Sequence, residues 1–598
     1  MATAAIPKTK IAGGSFLIED RRPDEVFTPE DFTDEHRQIA QTTEEFALKE
    51  IVPNIEKIEH KDYSVSRDLI KKASELGLAS VDIPEDYGGM DMDKVTSAII
   101  ADYIAKSGSF SVTWGAHVGI GTLPIVYFGT PEQKQKYLPK LASGEWVGAY
   151  ALSESSSGSD ALNCRSRADL SADGKHYVLN GEKMWITNAK FADLYVIFAK
   201  VGGEKFSAFI VERTFPGFSV GAEEKKLGIR GSSTCPLILN DCKVPVENLL
   251  GEIGKGHIIA FNILNIGRFK LGAGCVGGAR NSLQSALSYA KQRKAFGKTL
   301  SEFGLIREKI ADIATGIYVG EALAYRTVGM IDEALRDIDK KSPDASTQIR
   351  KGIEEYAVEC SILKVWGSEM LDRVVDHVVQ IYGGYGFVEE YPAERAYRDS
   401  RVNRIFEGTN EINRMIITGW LMKRAMSGQL ALMPAIKKLM DEVLSGPSMG
   451  EETEGALAAE QTLLGNAKKA ALFVAGVASQ RYMTELADQQ EVMAALADVI
   501  IEVFAMDSAL LRTMKLVQAQ GENAAALPVA MTQVYLSEAM ARIEVAARRV
   551  LAAAAEGDNL RIQTTILRRL MKHEPTNVIG LRQQIATRTI EAGKYTIS

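Results

Sequence analysis

An α+β chain is predicted: an N-terminal helical domain, a central antiparallel β domain and a C-terminal four-helix bundle, then an extra C-terminal helical domain. Three observations carry this. Apolar residues recur at three- and four-residue spacing from about Asp34 to Ala142 and again from about Gly256 to Ser427. Between them, from about Trp146 to Leu250, the pattern breaks into short β-rich runs separated by glycines and turns. Beyond residue 461 the chain becomes alanine-rich and helical again. Helix, strand, helix in that order inserts a β unit between two helical ones.

Taken in order, residues 1–33 read as a mobile tail lying on the surface, because Lys8 and Lys10 are followed only by Glu19, Asp20, Arg21 and Arg22. The first helical domain, 34–145, places Ile39, Phe46 and Ile51 in helical register, with Pro53, Pro84 and Pro131 as boundaries. The β domain, 146–250, is carried by Tyr177-Val178-Leu179, Leu194 to Ala199, Ser207 to Val211 and Cys235 to Leu239. The bundle spans 251–427. Residues 428–460, with Ser448-Met449-Gly450, Glu451, Glu452 and Gly455, read as a looser linker. The last domain, 461–598, clusters Leu510, Leu511, Met514, Leu516 and Val517 as a second helical bundle would.

Composition excludes several classes. Hydrophobic content of 46% with 25% charge is that of a soluble globular protein. A net charge of -7 argues against a nucleic-acid surface. The cysteines at 164, 235, 242, 275 and 360 are scattered, without a Cys-x-x-Cys pair, which fits reduced thiols in a cytoplasmic protein and no zinc or other metal site. No secretory signal is visible in the first thirty residues. The longest apolar run near the end, from Lys469 to Ala478, falls short of the roughly 20 residues of a spanning helix.

Chemistry concentrates at Glu407-Gly408-Thr409-Asn410-Glu411, preceded by Arg404-Ile405-Phe406. A carboxylate desolvated by Ile405 and Phe406 has its neutral form favoured and its basicity raised. Such a group removes a weakly acidic carbon-bound proton when an electron sink waits on the other side. Read alone, the string is equally an ordinary loop. Its company is Glu75-Leu76-Gly77-Leu78, Pro84 to Gly89, Tyr150 to Asp160 with Ala151-Leu152-Ser153-Glu154 inside it, and Gly181 to Asn188. Gln292-Arg293-Lys294-Ala295-Phe296-Gly297 and Gln380 to Phe387 follow.

In this order and spacing the strings resemble the acyl-CoA dehydrogenases, flavoproteins that desaturate fatty acyl-CoA thioesters. The resemblance covers roughly residues 35 to 425, and the extra C-terminal stretch looks like that of the very-long-chain subgroup. It implies an FAD cofactor, conversion of long-chain acyl-CoA to trans-2-enoyl-CoA in fatty acid β-oxidation, electron transfer to electron-transferring flavoprotein, and a homodimer. By the same resemblance Glu407 is the base. Relatives that place it one residue before an arginine have their counterpart here at Gly267, which cannot serve.

The flavin ring is implied at Tyr150, Leu152, Ser153, Trp185 and Thr187, with Thr409 and Glu411 completing the site. Serine stands at 153 and 155 where the family more often has threonine and proline, and Glu411 stands where glutamine is frequent. Arg293, Phe296, Phe303, Gln380, Gly383 and Gly384 match residues that grip the flavin pyrophosphate of a neighbouring subunit; a planar guanidinium fits a diphosphate bidentately. Substrate contacts are implied for Ser159, Asn265, Arg268 and Gly408. The stretch from Trp114 to Gly121 matches the floor of the acyl pocket, with small residues at 115, 116, 119 and 121 that either deepen it or simply pack a helix.

Other readings stay open here. Trp185 reads equally as a core aromatic, and His117 as a structural histidine rather than a ligand. Leu463 to Val477 is either a buried bundle helix or a segment on the inner face of the membrane, as in the subgroup it resembles. An acyl-CoA oxidase using oxygen, or a non-catalytic assembly relative, would share many of these motifs.

Overall fold

In the computed structural model, which describes residues 10–340, 342, 344–444, 455 and 457–597, the helical N-terminal domain contains α1 (Asp34–Phe46), α2 (Ile55–Glu59), α3 (Tyr63–Glu75), α4 (Lys94–Tyr103), α5 (Gly108–Gly115), α6 (Leu123–Phe128) and α7 (Pro131–Ala142). Their starts are local chemistry. Thr33, Asp62, Asp93, Ser107 and Thr130 each accept a backbone N–H of the first turn of α1, α3, α4, α5 and α7. A π-helical turn, Ala116–Gly121, continues α5; such turns are rare and concentrate at functional sites.

The sheet contains β1 (Gly148–Ala151), β2 (Arg167–Leu170), β3 (His176–Thr187), β4 (Leu194–Val201), β5 (Lys205–Glu212), β6 (Phe218–Val220), β7 (Thr234–Pro245) and β8 (Leu249–Leu250), in the order β6-β7-β3-β2-β4-β5-β8. It is mixed rather than wholly antiparallel, because β1 and β2 both pair with β4 in parallel. A parallel pair needs a long crossover, and the excursion from β1 through β2 and β3 supplies it for β1 and β4. β4 is buried on both faces: Leu194, Val196 and Phe198 join the large helical core, while Tyr195, Ile197 and Ala199 join a second core within the sheet.

Next come α8 (Gly256–Gln292), a small hairpin of β9 (Lys294–Ala295) and β10 (Lys298–Thr299), α9 (Gly304–Leu335), α10 (Ala345–Glu354), α11 (Ala357–Tyr382), α12 (Pro392–Ser400) and α13 (Asn410–Met426). Helices α8, α9, α11 and α13 form the expected bundle. The extra domain adds α15 (Ala458–Tyr482), α16 (Gln490–Gln520), α17 (Ala526–Ala554), α18 (Gly557–Leu570) and α19 (Val578–Ala592), and it packs on α9 and α13. Among the described residues no helix is long and apolar enough to cross a membrane.

Two segments differ from expectation. Residues 10–33 are not a surface tail. Phe16 and Leu17 are buried, with the Phe16 ring 4.7 Å from that of Phe504. Asp20, Glu30 and Asp31 neutralise Lys468, Arg512 and Lys515 of the extra domain at 3.0, 2.8 and 2.5 Å. These three acids, all within the stretch read as tail, are the counter-charges of the buried Lys468 and Arg512 and of the half-buried Lys515. Lys8 lies outside the described residues.

The predicted linker 428–460 contains helix α14 (Leu432–Leu444), which packs on α15. Ser448-Met449-Gly450, Glu451 and Glu452 lie outside the described residues. In α15 the stretch from Leu463 to Val477 buries Phe473 and Val474 in the bundle, which removes it as a membrane-surface segment.

Candidate active site

Glu407 sits on the loop entering α13, and both it and Gly408 take left-handed backbone angles, φ 59° and 80°. A non-glycine residue there costs on the order of 1 kcal/mol or more, so its surroundings must enforce it. Lys364 Nζ and Asn413 Nδ2 donate to the Gly408 carbonyl at 2.7 and 2.8 Å, and Arg268 Nε donates to the Glu407 carbonyl at 3.3 Å. The Thr409 hydroxyl caps α13 by accepting the Ile412 N–H. The loop is clamped at three successive residues.

The carboxyl these clamps present is half-buried, with one oxygen enclosed. Its Oε2 is buried without a hydrogen-bond partner, and a Cβ on Gly267 would lie only 2.5 Å from it. Glycine at 267 therefore does more than fail as a base: it vacates the seat that Glu407 fills. Burial raises the Glu407 pKa to about 7, against the opposing charges of Arg268 and Lys364. Ile405 does not contribute as expected; it is 52% exposed, and Phe406 alone of the two lines the cavity. Tyr150 of β1 is buried with its hydroxyl unpartnered, and burial together with the Glu407 charge pushes its pKa up.

Glu407, Phe406 and Thr187 line a cavity of about 590 Å³, within the range of small-molecule sites. Its wall includes Trp114, Gly115, Ala116 and Gly119, from the stretch expected to floor the acyl pocket. A Cβ at Gly115 or Gly119 would meet nothing within 4 Å. Gly121 serves otherwise: a Cβ there would come 2.7 Å from the Gly148 backbone, so it lets the π turn pack on β1. His117 Nδ1 accepts the Gly148 N–H at 3.2 Å, and burial lowers its pKa to about 4, which makes it a neutral structural histidine.

Beside this cavity the β domain offers an unusual surface. Strand β3 is irregular between Lys183 and Ile186, and Trp185 within it has φ 58° and is 57% exposed. A bulky aromatic in that conformation is an outlier that packing does not reward, so the core reading of Trp185 fails. Ser153 and Leu152 lie next to it: the Ser153 carbonyl accepts the Met184 N–H at 2.9 Å, and Lys183 Nζ donates to the Leu152 carbonyl at 3.3 Å. Ser159 and Glu411 are exposed.

Asn265 and Arg268 are placed differently from the implied substrate contact. Both are buried, with Asn265 Oδ1 accepting from Arg268 Nη1 at 2.7 Å, and neither lines the cavity. They brace the Glu407 loop from behind. The remaining predicted residues gather elsewhere. Arg293, Gln380, Gly383 and Gly384 line a second cleft of about 540 Å³, where a Cβ on either glycine would meet nothing. Phe296 is 95% exposed with φ 49°, and Phe303 meets its edge at 6.2 Å. Arg268, about a third of the way along α8, and Arg293, the residue that caps its C-terminus, lie about 37 Å apart along the axis. One chain thus carries two separate sets.

Two contributions escaped the sequence reading. Lys364, fully buried, holds the Gly408 carbonyl and Asn410 Oδ1, both at 2.7 Å, and burial lowers its pKa to about 8. The signal was a lysine interrupting the apolar run Ser361-Ile362-Leu363-Lys364-Val365-Trp366. The buried Glu154–Lys183 pair, at 2.7 Å, ties the end of β1 to the Trp185 strand.

Family models for the acyl-CoA dehydrogenase N-terminal, middle and C-terminal domains match residues 33–145, 149–242 and 254–422. A further acyl-CoA dehydrogenase C-terminal domain model matches 466–569. The chain is 51% identical over 586 residues, 98% of each protein, to one named probable acyl-CoA dehydrogenase from Bacillus subtilis. It is 39% identical over 363 residues to the mitochondrial very long-chain specific acyl-CoA dehydrogenase of Rattus norvegicus, covering 59% of this chain and 53% of that one. Among solved structures, an acyl-CoA dehydrogenase complexed with FAD from Bacillus anthracis superposes with a TM-score of 0.96 at 49% identity, over 98% of this chain and 100% of that one. Butyryl-CoA dehydrogenase from Megasphaera elsdenii gives 0.58 at 34% identity, over 66% and 99%.

Proposed function

The chain belongs to the acyl-CoA dehydrogenase family, and we propose that it converts long-chain acyl-CoA to trans-2-enoyl-CoA in fatty acid β-oxidation, passing electrons to an electron-transferring flavoprotein. The observation that carries this is the Glu407 carboxyl: clamped, half-buried with one oxygen enclosed, poised near neutrality, and facing a mostly apolar cavity that also reaches the β domain at Thr187. A thioester α-proton is weakly acidic, so its removal needs a positioned base of raised basicity.

In this reading the acyl chain lies along the cavity with its α-carbon at the Glu407 carboxyl. Glu407 takes the α-proton while Arg268, Asn413 and Lys364 hold its loop, and the apolar walls keep water from the reacting carbons. FAD fits the groups present: Leu152, Ser153, Trp185, Thr187 and Thr409 would hold its ring, and an exposed tryptophan is otherwise a cost. Arg293, Phe296, Phe303, Gln380, Gly383 and Gly384 would hold the pyrophosphate end of the cofactor seated in the partner of a homodimer, since α8 keeps them too far from their own Glu407. When bound, the flavin supplies the acceptor for the hydride that leaves the β-carbon.

The purified protein should show a flavin spectrum that palmitoyl-CoA bleaches anaerobically, with no peroxide on admitting air. Peroxide formed at the rate of turnover would make the protein an oxidase; absence of bleaching would refute the reading. Sedimentation should give a dimer, and a flavin-loaded monomer would remove the shared-site reading.

A further inference from the structure

Along α8 the residues that line the acyl cavity form one stripe. Gly267, Gly274, Gly278 and Ser285 fall within about 20° of a single line on the helix surface, and the lining continues to Ser288, about 31 Å from Gly267 along the axis. The stripe changes chemistry on the way. In the half near Glu407 the walls are Ile100, Ala101, Leu271 and Cys275. Two polar side chains there are already committed, Ser97 Oγ and Lys270 Nζ both donating to Asp82 Oδ2 at 2.7 Å.

In the far half the lining turns to Asn281, Gln284, Ser285 and Ser288, and both Gln284 and Ser288 are exposed to solvent. The cations of this half are spoken for: Lys106 pairs with Glu44 at 3.1 Å and Arg395 with Glu56 at 2.9 Å. Asp399, the carboxyl of the lining, is buried and accepts the Ile229 N–H, which leaves amides and hydroxyls as the groups in contact with water.

We infer that the acyl cavity is a tunnel with a second, polar mouth, and that the enzyme accepts long acyl thioesters bearing an uncharged polar group, such as a hydroxyl, on the carbon farthest from the thioester. The inference rests on the reading of this cavity as the acyl site. A blind apolar pocket would strand such a hydroxyl without a partner at every chain length. A tunnel strands it only while the chain is short enough to end among Ile100, Ala101 and Leu271.

The test is kcat/KM for two matched CoA thioester series, unsubstituted and ω-hydroxylated, from octanoyl through hexadecanoyl to docosanoyl. For octanoyl the hydroxyl should cost about 10- to 100-fold, the usual penalty of a buried unpaired group. For the longest members the two series should converge to within about threefold. Gly278→Leu, which places a side chain across the tunnel between its halves, should abolish that convergence. A hydroxyl penalty that stays constant or grows with length would overturn the inference while leaving the proposed activity intact. No turnover in the unsubstituted series would overturn both.

Discussion

Two stretches of α8, around Gly267 and at its C-terminal cap Arg293, present opposite kinds of site. Around Gly267 the groups are held by their surroundings: Glu407 has its loop clamped by the buried Lys364, Asn413 and Arg268, and its carboxyl fills the space a side chain would take. At the Arg293 end the groups are bare, with Phe296 almost wholly exposed and Gly383 and Gly384 facing open space. The first stretch is preorganised for chemistry within one chain. The second has the character of a surface waiting for something to cover it. An enclosed site is sensitive to single atoms, and an open one to association.

Glu407→Gln breaks the enclosed end most sharply. It keeps the shape and removes the proton acceptor, so kcat should fall roughly 10²–10⁴-fold with flavin still bound. Activity above about a hundredth of wild type would end its assignment as base. Arg293→Ala addresses the open end. Flavin should dissociate about 10- to 100-fold more readily, as expected for loss of charge-assisted hydrogen bonds. Rapid-dilution fluorescence measures this, and an unchanged off-rate would remove Arg293 from the cofactor.

Between the two effects lies pH. kcat/KM for the wild type should rise with pH through about 7, because only the ionised Glu407 accepts a proton. Lys364→Met takes away a positive charge that favours that ionised form, so the limb should move to higher pH and neutral-pH activity should drop several-fold. Arg268 and Tyr150, the other titratable groups facing Glu407, are left in place. A limb that stays put would reduce Lys364 to a structural prop.

The smallest effect is on stability. Glu407 has a folded pKa above its ordinary 4.5, so its neutral burial stabilises fully below that value and the benefit is lost as pH rises through about 7. Melting curves of wild type and Glu407→Gln should therefore separate over that interval, the variant gaining relative stability with pH.

Much of this arrangement was legible in the sequence. Helical periodicity, the switch to β-rich runs and the alanine-rich end placed the domains, because burial writes its period into one stretch of chain. Glu407 and Gly267 were legible as a complementary pair. What escaped depends on partners distant in sequence. Ile405 and Phe406 look alike as neighbours of Glu407, yet only Phe406 turns to the cavity. Nothing local to Asn265 and Arg268 announces that Arg268 also bonds the Glu407 carbonyl, 139 residues away. The acids of residues 20–31 look like surface polarity until their lysines and arginines arrive from the far end.

That last pairing has a consequence for how the protein is made. Glu30 and Arg512 are separated by 482 residues. At translation rates of about 5–20 residues per second, the N-terminal segment waits on the order of 25–100 s before its counter-charges leave the ribosome. Phe16, whose ring packs 4.7 Å from that of Phe504 in the folded chain, lacks that contact throughout the interval. The segment around Gly13 and Gly14 can dock on the bundle at Glu355, Glu359 and Tyr356 as soon as that is made, but the charges of Asp20, Glu30 and Asp31 find their partners only with the extra domain.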